Sequence, residues 1–151
     1  MKNLNFSKFK MRIKSKENLY YIFDIIRKNW YLLTKEEWVR QHCIHYLIYT
    51  KKYPKYLVNV EKKFLINGVS KRYDIIVYSK QKDVIILVEC KAYDINLNQD
   101  VFDQIAKYNL QLKSRYLMIS NGLLHFYYTV NYDSKEYLFM KDLPRYKKQP
   151  L

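Results

Sequence analysis

The sequence predicts an α/β fold in which a central mixed β-sheet is flanked by helices. Three observations predict it. A helix start is written at Thr34-Lys-Glu-Glu37, three strand-like segments follow one another between residues 58 and 91, and a helix-period segment near 101–112 precedes further strands. At 151 residues the chain has the length of one domain and can bury one sizeable core. We expect a basic flexible arm over residues 1–16 and a single domain over residues 17–151.

Residues 17–31 place apolar groups at helix-like intervals over part of their length, which predicts a helix or turn. The next helix starts in a capping box, Thr34-x-x-Glu37, and continues through Trp38, His42, Ile44, His45, Leu47 and Ile48. It should stop before Tyr53-Pro54. Val58–Ile66 predicts a strand and Asn67-Gly68 a turn. Arg72–Tyr78 is the second strand and Val84–Lys91 the third. Val84 to Val88 is apolar at every position, as expected of a central strand covered on both faces. Val101, Ile105, Tyr108 and Leu112 predict a helix, with Asn96 or Asn98 as its N-cap. Arg115–Ser120, Leu123–Val130 and Glu136–Met140 have strand character, and Asn121-Gly122 marks the turn between the first two.

The charge balance narrows the partner. Lys plus Arg number 28 against 14 Asp plus Glu, a formal charge of +14. Such an excess favours nucleic acid over an anionic membrane, although a Lys-rich bias that only solvates the surface would look the same. Lys2, Lys8, Lys10, Arg12, Lys14 and Lys16 form one basic cluster, and Arg145, Lys147 and Lys148 another. No apolar run approaches membrane-span length and no signal-peptide pattern opens the chain, so a cytoplasmic location is expected. The cysteines, Cys43 and Cys90, agree with that compartment. His42, Cys43, His45 and Cys90 lack the paired spacing of a structural zinc site.

Two polar intrusions break otherwise apolar strands: Asp74 in Arg72-Tyr-Asp-Ile-Ile-Val-Tyr78, and Glu89 with Lys91 in Ile85-Ile-Leu-Val-Glu-Cys-Lys91. Buried carboxylates are costly unless something compensates them, and a cation is the strongest compensator. Glu89 and Lys91 lie two apart and share a strand face. The short connection after Tyr78 makes the two strands antiparallel neighbours, so Asp74 and Glu89 converge. Hard oxygen ligands of this kind suit Mg²⁺. A lone Glu-x-Lys on a strand is most often a surface ion pair; the correctly spaced Asp74 is what raises it above that.

Asp74 followed at that spacing by Glu89-Cys90-Lys91 resembles the PD-(D/E)XK phosphodiesterase core. Gln104-Ile-Ala-Lys-Tyr108 is similar to a Gln-x-x-x-Tyr motif of one of its branches. Leu33–Gln41, Lys71–Asp74 and Phe102–Asn109 resemble the N-terminal nuclease domain of type I restriction enzyme R (HsdR-like) subunits in its stand-alone form. Tyr73 stands where the superfamily commonly carries Pro. With Gly only 2, no phosphate-cradling loop of a helicase motor is present in this sequence, so no ATP is expected.

The resemblance implies a restriction-endonuclease-like fold and a Mg²⁺-dependent DNA nuclease, with Mn²⁺ able to substitute. Asp74, Glu89 and the Cys90 backbone carbonyl would hold the metal, with Glu61 as an additional ligand. Lys91 would complete the catalytic set, and Gln104 and Tyr108 would position DNA. Glu36 and Glu37 are expected to be first-turn residues that complement the helix dipole. The competing expectation is an adaptor subunit that keeps the fold and binds nucleic acid without cutting. A homodimer or partner subunits would supply a second cut.

Overall fold

A computed structural model of the protein describes residues 1–148; the last three residues of the expected domain lie outside the described residues. Two sheets and two helices make up the fold. Strands β1 (Ile13–Lys16), β2 (Leu19–Asp24) and β3 (Asn29–Leu32) form a three-stranded antiparallel sheet. Helix α1 (Lys35–His45) runs on into a π-helical turn, Tyr46–Thr50. Next come β4 (Val58–Ile66), β5 (Val69–Tyr78), β6 (Val84–Cys90), α2 (Gln99–Leu112), β7 (Tyr116–Ser120), β8 (His125–Asn131) and β9 (Glu136–Met140). The last six strands form one sheet in sequence order, antiparallel throughout except for the parallel β6–β7 pair that α2 connects.

Local chemistry sets most boundaries as expected. Thr34 Oγ1 accepts the Glu37 N–H at 3.0 Å, closing half of a capping box. Asn98, not Asn96, caps α2 by accepting the Val101 N–H at 3.1 Å. Central strand β6 separates the helices. Ile86, Val88 and Cys90 pack with Val39, Cys43, Ile44 and Leu47 on the α1 side. Leu87 packs with Ile105, Leu117 and Ile119 on the α2 side. That two-sided burial is why β6 is apolar at successive positions. Among the described residues no helix is long and apolar enough to cross a membrane.

Two expectations are revised. Residues 17–31 hold β2, most of β3 and two turns, at 17–18 and 25–28, so the turn is found and the helix is not. Glu17 and Asn18 both take positive φ (53° and 64°), the requirement of a tight turn that matches strand twist. Beyond it, alternation buries Ile22 and Asp24 fully against the domain. Residues 1–16 are also no free arm. Asn5 N–H donates to Gly122 O at 2.7 Å and Trp38 Nε1 to Lys2 O at 2.8 Å. Phe6 packs on His125 with ring centroids 4.3 Å apart, and Phe9 on His45 at 5.6 Å. Residues 13–16 complete the small sheet. The aromatic residues at positions 6 and 9 carry apolar surface that a solvated arm would leave in water.

Candidate active site

The site forms where β5 and β6 part. Their backbone pairing reaches Ile75↔Val88, and the next positions along are Asp74 and Glu89. There the Cys90 N–H donates to Asp74 Oδ2 at 2.8 Å, so a carboxylate bonds to the β6 main chain just past the last backbone pair. The pleat of β5 slips at the same point: Tyr73 packs on the α2 side while Ile75 packs on the α1 side. Glu61, level with Asp74 on β4, takes a left-handed φ of 53°. A non-glycine residue in that region is uncommon and is held there by its surroundings.

Those surroundings are a buried charge network that the sequence did not disclose. Asp74 Oδ1 accepts from Arg40 Nη2 at 2.8 Å. Arg40 also bonds Glu37 and lies 3.6 Å from Glu61. Burial alone would lower the Arg40 pKa, but Asp74 and Glu37 more than reverse this and fix it as a cation. Arg27 joins the group, 2.7 Å from Asp24, 2.6 Å from Glu37 and 3.2 Å from Glu61. Gln41 donates to Asp24 and Glu37, both at 2.9 Å. Glu37 is in the first turn of α1, as expected, and is also buried and bonded to both Arg27 and Arg40. Glu61 is engaged by Arg27 and Arg40, with Arg72 at 3.8 Å. The visible signal was Glu36-Glu37-x-x-Arg40-Gln41, charges at helical spacing on a helix that must pack.

Glu89 and Lys91 share one face of the chain, with Lys91 Nζ 3.7 Å from Glu89 Oε1. Burial first, and the Asp74 charge second, push the Glu89 carboxyl up to about 8, against the pull of Lys91 and Lys71. Glu36, half exposed on α1, is raised by burial and by Asp74 as well, so a third carboxylate borders the same field. Among the described residues no three His, Cys, Asp or Glu side chains are grouped to hold a metal ion. A hard cation does not need three: Mg²⁺ binds through one or two carboxylates and keeps its waters. Two acidic side chains in mutual repulsion are an oxygen donor pair that fits such an ion.

Gln104 is exposed on α2, and Tyr108 is half-buried one turn on. The Lys71 ammonium sits 4.5 Å above the Tyr108 ring, which places Tyr108 near the Glu89 side of the sheet. Cys43 and Cys90 are free, buried thiols that meet across the α1–β6 interface, and burial pushes the Cys90 thiol up. His42 and His45 point instead toward Phe9. The second basic cluster lies at the opposite end of β6: Arg145, Lys147 and Lys148 join Lys80 and Arg115 around a cavity of about 470 Å³.

A search of the curated proteins returns no match. The family model described as the N terminus of the type I restriction enzyme R protein matches residues 35–144. That span runs from the start of α1 past β9. It holds Arg40, Asp74, Glu89, Lys91 and α2, and excludes the three-stranded sheet. Most of the 151-residue chain being matched, this protein belongs to the family of type I restriction enzyme R protein N-terminal domains.

Proposed function

We propose that the domain is a Mg²⁺-dependent deoxyribonuclease with a PD-(D/E)XK-type site at the fork of β5 and β6. The observation that carries this reading is the convergence of Asp74 and Glu89, with Lys91 3.7 Å from Glu89 on a half-exposed surface. A structural ion pair has no need of a second carboxylate pressed against the first. Asp74, Glu89 and the Cys90 carbonyl would hold the ion, while Glu61 stays with its arginines. When bound, Mg²⁺ supplies an activated water and neutralises charge on the scissile phosphate.

The protein's own groups do the rest. Arg40 and the Cys90 N–H hold Asp74 in one orientation. Lys91 orients the attacking water and stabilises the charge that builds on the phosphate in the transition state. Gln104 and Tyr108, four apart on one helical face, position the DNA backbone beside the site. Mn²⁺ would serve in place of Mg²⁺.

One observation favours the alternative of a non-cleaving adaptor: Arg40 already neutralises Asp74. A cleavage assay on supercoiled plasmid and single-stranded DNA separates the two. Metal-dependent cutting by the wild type, lost in Lys91→Ala, supports the nuclease. Salt-sensitive DNA binding by both proteins with cutting by neither supports the adaptor.

A further inference from the structure

The three-stranded sheet lies wholly outside the family-matched span, yet it is fastened to the site. Asp24, the last residue of β2, is fully buried and holds Arg27, which reaches Glu37 and Glu61; Glu37 in turn bonds the Arg40 that holds Asp74. One face of this sheet, with Ile22 and Asp24, is turned into the domain.

The other face has a distinct composition. The register Lys14↔Tyr21, Lys16↔Leu19, Phe23↔Trp30 and Tyr21↔Leu32, with the Phe23 N–H donating to Arg12 O at 3.0 Å, sets Arg12, Lys14 and Lys16 beside Phe23, Tyr21 and Trp30. The Arg12 guanidinium lies 4.4 Å from the Phe23 ring and 5.2 Å from that of Trp30; Lys14 Nζ lies 4.3 Å from the Trp30 ring. Phe23 and Trp30 brace each other edge to face at 5.4 Å.

No carboxylate occurs on this face, and among the described residues none of the three cations has an acidic partner within ion-pair distance. Positive side chains laid on aromatic rings give up rotamer freedom before any ligand arrives and keep their charge for it. At alternate positions of one strand they stand about 7 Å apart, about twice the axial rise per phosphate of a DNA strand. Residues 12–20, which run along β1, through the turn and into β2, are exposed at every position.

We propose that the Arg12–Lys14–Lys16 face of the β1–β3 sheet is a sequence-independent clamp on the DNA backbone, fixed beside the catalytic fork by the Asp24–Arg27 link. The proposal rests on the nuclease reading only for naming DNA as the polyanion. With rings capped by cations, the face offers charge to phosphates, not open rings to bases.

The test is DNA binding by the full chain in EDTA, where no cutting intervenes, on a short duplex and a single strand of equal length, across a salt series. The triple variant Arg12→Gln/Lys14→Gln/Lys16→Gln should bind duplex roughly ten- to a hundredfold more weakly near 0.1 M salt. Its log–log salt slope should be shallower by about 2–3. A charge-matched control, Arg145→Gln/Lys147→Gln/Lys148→Gln, removes the same charge at the far end of the sheet. Unchanged binding by the hairpin variant, or an equal loss in the control, overturns the clamp. So does a loss confined to the single strand, which would mean base stacking. A wild type that binds through this face but never cuts leaves the clamp standing and defeats the nuclease reading; a cutting enzyme indifferent to the hairpin variant does the reverse.

Discussion

Arg40 on α1 and Asp74 on β5 form a nearly buried ion pair, 2.8 Å apart, in which the arginine also serves Glu37 and borders Glu36 and Glu61. A cation shared among four carboxylates cannot be removed quietly. Arg40→Met should destabilise the fold by about 3–5 kcal/mol, because the buried Asp74 carboxylate loses its cation and Glu37 loses one of its two arginines. Urea unfolding checks this; a loss under 1 kcal/mol would mean the network is far wetter than its burial implies.

The same pair dictates how the proposed role of Asp74 should be tested. Asp74→Asn keeps the side chain's size and one of the two acceptor oxygens used by Arg40 and the Cys90 N–H, while removing the charge. Cleavage should fall at least about a hundredfold, with DNA affinity in EDTA unchanged. Asp74→Ala should lose the activity and stability together. Parallel binding and cleavage assays, read beside a melting curve, distinguish a chemical role from a structural one.

Glu89 gives the pH dependence its sign. Its carboxyl, pushed up to about 8 by burial and then by Asp74, stays protonated in the folded protein where the unfolded chain, near 4.5, has released the proton. Without metal the folded state holds the extra proton, so the contribution of Glu89 to stability is fully present below about 4.5 and is lost as pH rises through 8. Glu89→Gln should flatten that decline and be the more stable protein at pH 9 by on the order of 1–3 kcal/mol. Melting temperatures of both proteins from pH 5 to 9 measure it. Mg²⁺ competes with the same proton, so the concentration needed for half-maximal cleavage should fall as pH approaches 8.

Gly122 holds the docked N-terminal segment. Its φ is +85°, and an added Cβ would come within 2.9 Å of the Leu4 side chain and 3.1 Å of Val39. Gly122→Ala should cost about 1–2 kcal/mol and loosen residues 1–9, one of whose anchors is the Asn5 bond to Gly122. Faster hydrogen exchange at Asn5 with core amides unaffected is the expected signature. Uniform acceleration would mean the segment is not an independent unit.

How much of this was legible in the sequence depended on range. Thr34 and Glu37 sit three apart and signal through local geometry, so the start of α1 was readable. Asp74 and Glu89 were readable because polar residues inside apolar strands stand out. Leu19 to Ile26 is too densely apolar to fix a period, and burial of Ile22 and Asp24 against a distant helix decided it as strand. Arg27, Arg40 and Glu61 look like ordinary surface charges, since each finds partners that the fold alone brings near. The docking of residues 1–9 was hidden because Phe6 and Phe9 are two apolar residues among many lysines, and the surface they pack on is assembled only by the fold.

The bond from the Cys90 N–H to Asp74 has a mechanical meaning. It yokes one carboxylate to the main chain of the residue that follows the other, while β6 is braced on its far edge by β7. The gap between the two acids is thus set like the jaws of a caliper, by a short linkage between the side chain of one and the strand that carries the other.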